Sequence, residues 1–338
     1  MWPLELDSPG ELPCSQEWKD RGSTMKYKKI AFLFPGQGAQ VVGMGKDFAV
    51  AYPEARETFE EGDEILQRSL SKIVFEGGAD LLTETKNSQT GIYVTSMALL
   101  RVLNKEFPDL KPTVCAGLSL GEYSALTASQ RLQFSETLPL VQYRGEWMNQ
   151  ACVTHPGTMA ALFGLSAEVV DEMVESLQMP DQIWVANYNC PGQVVVSGTL
   201  KGVEAACQLA KAKGAKRALP LQVHGAFHSG LMQVAEEKLS EKIGGISFKE
   251  SGIDIVMNVP GNYVKDHNQV STFLIQQVTR PVKWEQGIRA MNEVDLYVEI
   301  GCGKVLTGLN RQIGVTGTSI NVSKVEDLEN LSNVLQGN

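Results

Sequence analysis

Residues 117–121 read Gly-Leu-Ser-Leu-Gly, a G-x-S-x-G run. A serine flanked in this way suits a nucleophile held on a sharp strand-to-helix turn, because glycines remove the Cβ atoms that would collide where the chain reverses. The flanks agree with that context. Thr113 to Ala116 is a short apolar run of the kind that fills a buried strand, and Glu122, Ala125 and Leu126 begin a helix-compatible stretch. Such a turn leaves Ser119 at the carboxyl edge of a sheet. Behind it, the helix start offers unpaired N–H groups and a partial positive charge where an oxyanion can develop. The plainer alternative is a Gly-rich turn with an incidental serine, so the pattern needs a base and an oxyanion donor from elsewhere in the chain.

A serine hydroxyl is a weak nucleophile until a base takes its proton. The chain has four histidines. His155 precedes Pro156, and His267 lies in a polar, loop-like run, KDHNQ. His224 and His228, four apart, suit one helix face and a metal, but no H-E-x-x-H carboxylate lies between them. His228 opens a helical stretch expected over 228–242. Its small neighbours Gly225, Ala226, Ser229 and Gly230 imply close approach to another group, which makes it the expected base. No aspartate stands out as its orienter. A Ser–His dyad completed by an amide or a backbone carbonyl therefore fits, with Gln277 one candidate for the carbonyl.

Two further residues carry open readings. The run FPGQGAQ (34–40) follows an apolar strand over 29–34, but it fails the G-x-G-x-x-G spacing and lacks Gly-Lys-Ser/Thr. Either its glycines aim Gln37, by side chain or backbone, at developing charge, or it is an ordinary surface loop. Arg144 lies on a helix expected over 135–151, where arginine is ordinarily a solvated charge.

Composition narrows the class. The chain has 338 residues with 43% hydrophobic and 20% charged content, enough for a large core and for one domain carrying a smaller insertion. A net charge of −9 argues against nucleic acid or an anionic membrane surface as partner. The six cysteines (14, 115, 152, 190, 207 and 302) form no C-x-x-C and no ligand cluster, so a reducing, cytoplasmic setting is expected, with no metal site. No apolar run approaches the roughly 20 residues that span a bilayer. Residues 1–24 are polar and acidic without a signal-peptide pattern, and are expected to be a disordered extension, with Met25 the natural start.

The elements that must position these residues alternate between strand and helix, which predicts an α/β fold with a mainly parallel sheet. Helical content covers 45–70, and a long, mostly buried helix spans 88–107. Strands are expected at 254–259, 296–301 and 318–322, with a helix from Leu274 to Trp284 stopped at Pro281 and another from Glu326. Between 154 and 221 the order becomes β-α-β-β-α-β, the ferredoxin-like signature. The expected organisation is an α/β core from 25–153 and 222–338 with an inserted subdomain over 154–221.

Six motifs in one order, FPGQGAQ (34–40), GLSLGEYSAL (117–126), Arg144-Gly145, NYNCPGQVVVSG (187–198), GAFHSGLM (225–232) and QQVTRPVKW (276–284), resemble the malonyl-CoA:acyl-carrier-protein transacylases of fatty-acid synthesis. The resemblance runs from about residue 27 to 325. It implies a hydrolase-like α/β core with a ferredoxin-like subdomain, and a malonyl group passed from malonyl-CoA to the phosphopantetheine thiol of acyl carrier protein through a malonyl-serine, in ping-pong fashion. It further implies Ser119 as nucleophile, His228 as base and Gln277 as orienter through its backbone carbonyl. Gln37 and Leu120 become oxyanion-hole N–H donors, Arg144 the partner of the substrate carboxylate, and Phe227 the group that crowds a branch methyl. No bound cofactor is implied. One departure is visible: Leu118 stands where the family usually has histidine.

Acyl carrier proteins are typically acidic, and so is this chain, which is expected to be a monomer. Transient docking therefore needs a local basic face, with Lys211, Lys213, Lys216 and Arg217 the densest candidate and Arg280 and Lys283 others. Rival readings are a serine esterase or thioesterase, which needs no carboxylate-pairing arginine, and a non-catalytic carrier-binding scaffold.

Overall fold

The computed structural model describes residues 26–223 and 225–337. The expected extension, the Met25 start and His224 lie outside the described residues.

Strand β1 (Ile30–Phe34) is five buried apolar residues in a row, as a central parallel strand covered on both faces requires. The helical content expected over 45–70 is two helices, α1 (Lys46–Ala51) and α2 (Pro53–Leu66). Pro53 opens α2, where its missing N–H has no intrahelical partner to lose, and Tyr52 before it is extended (φ −126°). The short helices α3 (Leu70–Glu76) and α4 (Ala79–Thr83) lead into α5 (Thr85–Glu106), which is buried along most of its length. Then come β2 (Val114–Gly117), α6 (Gly121–Ala128) and α7 (Phe134–Thr154), the last opened by a reciprocal cap between Gln133 and Glu136.

The middle of the chain runs β3 (Thr158–Phe163), α8 (Ala167–Ser176), β4 (Ile183–Cys190), β5 (Gln193–Gly198), α9 (Leu200–Ala212) and β6 (Arg217–Pro220). The side-chain oxygens of Ser166 and Thr199 cap α8 and α9. A 3₁₀ turn (Gly230–Met232) follows, with α10 (Gln233–Ile243), β7 (Asp254–Met257), β8 (Asn262–Tyr263) and α11 (His267–Gln276). The chain closes with β9 (Val282–Lys283), α12 (Trp284–Ala290), β10 (Leu296–Ile300), α13 (Val305–Ile313), β11 (Thr318–Val322) and α14 (Asp327–Gln336).

These strands form two sheets. The first has the order β11-β10-β1-β2-β7-β8 and is parallel except for β8 at its edge. Alternate residues of β1 enter different cores. Ile30, Phe32 and Phe34 join the cluster built with α5 and α7, whereas Ala31 and Leu33 meet Trp284, Ile288 and Leu306 on the opposite face. Burying each such Phe or Leu contributes about 1.5–3 kcal/mol, so the central strand is pinned from both sides. The second sheet has the order β6-β3-β5-β4-β9, antiparallel across its first four strands, with α8 and α9 packed into a third cluster.

Three boundaries differ from the sequence reading. β9, from the segment assigned to the core, pairs in parallel with β4 and joins the inserted sheet to the rest. The helix expected over 274–284 is α11, which already ends at Gln276, and His267 opens it under an Asp266 cap rather than lying in a loop. The helix therefore ends five residues before Pro281, the expected stop. The stretch expected to be helical from His228 starts later: His228 has φ 57°, which no α-helix accommodates, and α10 begins at Gln233.

Candidate active site

The sharp turn after β2 depends on its two glycines. A Cβ on Gly117 would sit 2.0 Å from the Gly121 carbonyl carbon, and one on Gly121 would sit 2.1 Å from the Phe34 carbonyl oxygen. Between them Ser119 adopts φ 52°, a left-handed conformation that costs an L-residue roughly 1–2 kcal/mol. Asn258, just beyond β7, holds it there. Its Oδ1 accepts the Ser119 N–H at 2.7 Å, and its Nδ2 donates to the Gly117 carbonyl at 2.8 Å.

Ser119 Oγ lies 2.8 Å from Nε2 of His228, whose Nδ1 lies 2.7 Å from the backbone oxygen of Gln277. A carbonyl only accepts, so Nδ1 carries the hydrogen and Nε2 presents its lone pair to the serine hydroxyl. Burial first, and the charge of Arg144 second, push the His228 imidazole down to about 4, which keeps it neutral at neutral pH.

Arg144 is no solvated charge. It is 1% exposed and the largest fully buried side chain of the chain's described residues. Its Nη2 donates to Ser119 Oγ at 3.0 Å and to Gln277 Oε1 at 2.9 Å, and its Nη1 donates to Gln89 Oε1 at 2.6 Å. Among the described residues its buried Nε–H has no partner. Beneath the serine, Glu122 is wholly buried, accepting from the Asn258 N–H at 2.6 Å and from Gln277 Nε2 at 2.7 Å. Burial pushes its carboxyl up to about 8, against the pull of those two donors and of Arg144.

Ser119, His228, Arg144 and Gln89 line a cleft of about 250 Å³ between the two sheets, together with Gln37, Phe227, Leu118 and, from the inserted sheet, Asn187 and Asn189, while Gln277, Glu122 and Asn258 lie buried behind them. Among the described residues the backbone N–H groups of Gln37 and Leu120 donate to no protein acceptor. That leaves two donors free beside the serine. Leu118 contributes an apolar wall packed towards the Trp284 cluster. His155 and His267 are exposed and do not line the cleft. Among the described residues no His, Cys, Asp or Glu side chains gather into a metal-binding group, and no helix is long and apolar enough to cross a membrane.

A half-buried hydroxyl shared between an imidazole and a guanidinium suits acyl transfer with an anionic substrate, and comparison with known proteins agrees. The acyl transferase domain model matches residues 31–318. The malonyl CoA-acyl carrier protein transacylase of Bacillus subtilis is 42% identical over 304 residues, covering 89% of this chain and 95% of that protein. The chain belongs to the malonyl CoA-acyl carrier protein transacylase family. It is therefore an acyltransferase. A crystal structure of the Clostridium perfringens transacylase superposes with a TM-score of 0.87 at 37% identity, covering 92% of this chain and 98% of that one. A malonyl-transacylase solved in complex with a type II PKS acyl-carrier protein superposes with a TM-score of 0.87 at 34% identity, covering 92% and 100%.

The structure of this transacylase-family chain brings Ser119, His228, Arg144, Gln37 and Phe227 to one cleft, with Gln277 buried behind it against His228 and Arg144 and Leu120 buried next to the serine. Lys211, Lys213, Lys216 and Arg217 lie apart, exposed at the end of α9 and along the edge strand β6, with Arg217 stacked 4.9 Å over Phe163. Sequence reasoning missed Gln89, Glu122 and Asn258. A signal existed for Gln89, which belongs to a run of buried polar residues, Asn87 to Thr90, on the otherwise apolar α5. For Asn258, 139 residues from Ser119, there was none.

Proposed function

We propose that this chain transfers a malonyl group from malonyl-CoA to the phosphopantetheine thiol of acyl carrier protein through a malonyl-Ser119 intermediate. The observation that carries the reading is the buried Arg144, which lines the cleft and whose guanidinium reaches Ser119 Oγ at 3.0 Å. An esterase for neutral acyl groups has no use for a desolvated cation beside its nucleophile. A free carboxylate on the acyl group supplies the partner, in a charge-assisted pair.

The steps follow from the contacts. Nε2 of His228 takes the Ser119 proton as Oγ attacks the thioester carbon, and the oxyanion is met by the Gln37 and Leu120 N–H groups. The C–S bond breaks, and the imidazolium returns its proton to the departing thiolate of coenzyme A. The carrier thiol then gives its proton to His228 and attacks the malonyl-serine, releasing Ser119 Oγ, which recovers that proton. Once the malonate carboxylate offsets the Arg144 charge, one of the two causes that hold His228 below its ordinary basicity is relieved. Phe227, buried at the cleft wall, crowds a branched acyl group.

The two-sheet arrangement supports reading the parallel part as a hydrolase-like core and β3 to β6 as a ferredoxin-like subdomain. Docking of the carrier on the exposed Lys211, Lys213, Lys216 and Arg217 face is part of the same proposal, as are a monomeric, cytoplasmic protein and the absence of a bound cofactor. Isotope exchange tests the ping-pong order. Labelled coenzyme A should exchange into malonyl-CoA with no carrier protein present. A chain that exchanges only when carrier is added would use a ternary complex instead, and one that releases free malonate would be a thioesterase.

A further inference from the structure

Glu122 has no part in the transfer steps, yet it is wholly buried directly under the nucleophile. Both its oxygens receive N–H donors, Oε1 from the Asn258 backbone and Oε2 from Gln277 Nε2. The second Nε2 hydrogen of Gln277 goes to the Ser119 carbonyl at 2.8 Å, and its Oε1 accepts from Arg144. The Gln277 carboxamide is thus fully used and can face only one way. A flip would set its NH₂ against the Arg144 donors and its oxygen against two acceptors. Its backbone carbonyl meanwhile accepts from His228.

Glu122 and Arg144 are therefore a buried carboxyl group and a buried guanidinium joined through one amide rather than in direct contact. The separation has a consequence for the site. A direct pair is typically bidentate and would occupy the fork that an incoming carboxylate needs. Relayed through Gln277, the carboxyl group orients the guanidinium without occupying it, and among the described residues the buried Arg144 Nε–H has no partner.

We propose that Glu122 is a positioning residue that acts on Arg144 through the Gln277 side chain, holding the guanidinium beside Ser119 where it meets the substrate's carboxylate. The inference rests on the malonyl reading above. It separates two roles of Gln277: the backbone carbonyl serves the base, and the side chain serves acyl selection.

The test measures malonyl and acetyl loading in the whole protein and in Glu122→Gln, with thermal melting as a control for folding. A glutamine at 122 keeps the size but sets an NH₂ against one of the two N–H donors, so the bonding that fixes the Gln277 amide is weakened. Malonyl-CoA KM should rise roughly 10-fold, the scale of a lost hydrogen bond to a charged group. Acetyl loading should change less than about twofold, so that the malonyl preference falls. Gln277→Met serves if Glu122→Gln does not fold, since it keeps the backbone carbonyl for His228; because the lost amide also bonds the Ser119 carbonyl, its readout is the malonyl-to-acetyl ratio rather than acetyl loading alone. An unchanged malonyl preference in the folded variant, or an equal loss of both acyl groups, would overturn the inference while leaving malonyl transfer standing. Failure of the unsubstituted chain to load malonate at all would remove the reading and the inference together.

Discussion

Ser119 and His228 meet at 2.8 Å, and each reaches that contact from a left-handed backbone, φ 52° and 57°. Few non-glycine residues adopt such angles, and they persist only where the surroundings over-determine them. Here the surroundings are Asn258 on the serine and the Gln277 carbonyl on the imidazole. The proposed nucleophile and base are thus presented by strained turns rather than by regular helix or strand.

That strain predicts an unusual ordering of stabilities. Once the side-chain contacts of Ser119 are removed in both variants, Ser119→Gly should be more stable than Ser119→Ala by roughly 1 kcal/mol, because glycine enters the left-handed region without penalty. Thermal melting of the two inactive proteins reads the difference directly. Equal stabilities would mean that the turn is not strained at this position.

The low basicity of His228 predicts an acid limb in the pH profile of kcat/KM well below the ordinary 6.5, moving towards 4. Arg144→Ala removes the second cause of that depression, so its limb should move up. Stability has its own sign. The native state refuses a proton that the unfolded chain binds, so the His228 contribution is present above pH 6.5 and is lost as pH falls from 6.5 towards 4, on the order of 3 kcal/mol. Denaturation midpoints over that interval, compared with His228→Gln, check it.

Carrier docking predicts a separation of Michaelis constants. Reversing Lys213, Lys216 and Arg217 together should raise KM for acyl carrier protein several-fold at low salt, and less at high salt, with KM for malonyl-CoA unchanged. These residues are exposed and away from the cleft. An unmoved carrier KM would place the docking face elsewhere, with Arg280 and Lys283 next.

What could be read in the sequence was local. The elbow is legible because Gly117, Ser119 and Gly121 make their turn within five residues, and β1 because its apolar run has no gap. The β-α-β-β-α-β order from β3 to β6 follows from short periodic units with serine and threonine caps. The supports of the turn were not legible. Asn258 and Gln277 reach Ser119 from 139 and 158 residues away, through amides that look in sequence like any polar loop residue. Arg144 misleads for the same reason: its helix position suggests solvent, and only the packing of α5 and α7 shows that it is enclosed. β9 is two residues long, too short for any pattern, although it ties the two sheets together.

Intact-protein mass after brief mixing with malonyl-CoA tests the central claim most directly, beside acetyl-CoA and the Ser119→Ala and Arg144→Ala variants. The account predicts a malonyl adduct that is absent in Ser119→Ala and discharged by acyl carrier protein. In Arg144→Ala it should fall roughly 30- to several-thousand-fold in rate, the cost of about 2–5 kcal/mol for an unpaired buried charge. A folded protein that forms no adduct, or that loads acetate as readily as malonate, would contradict it.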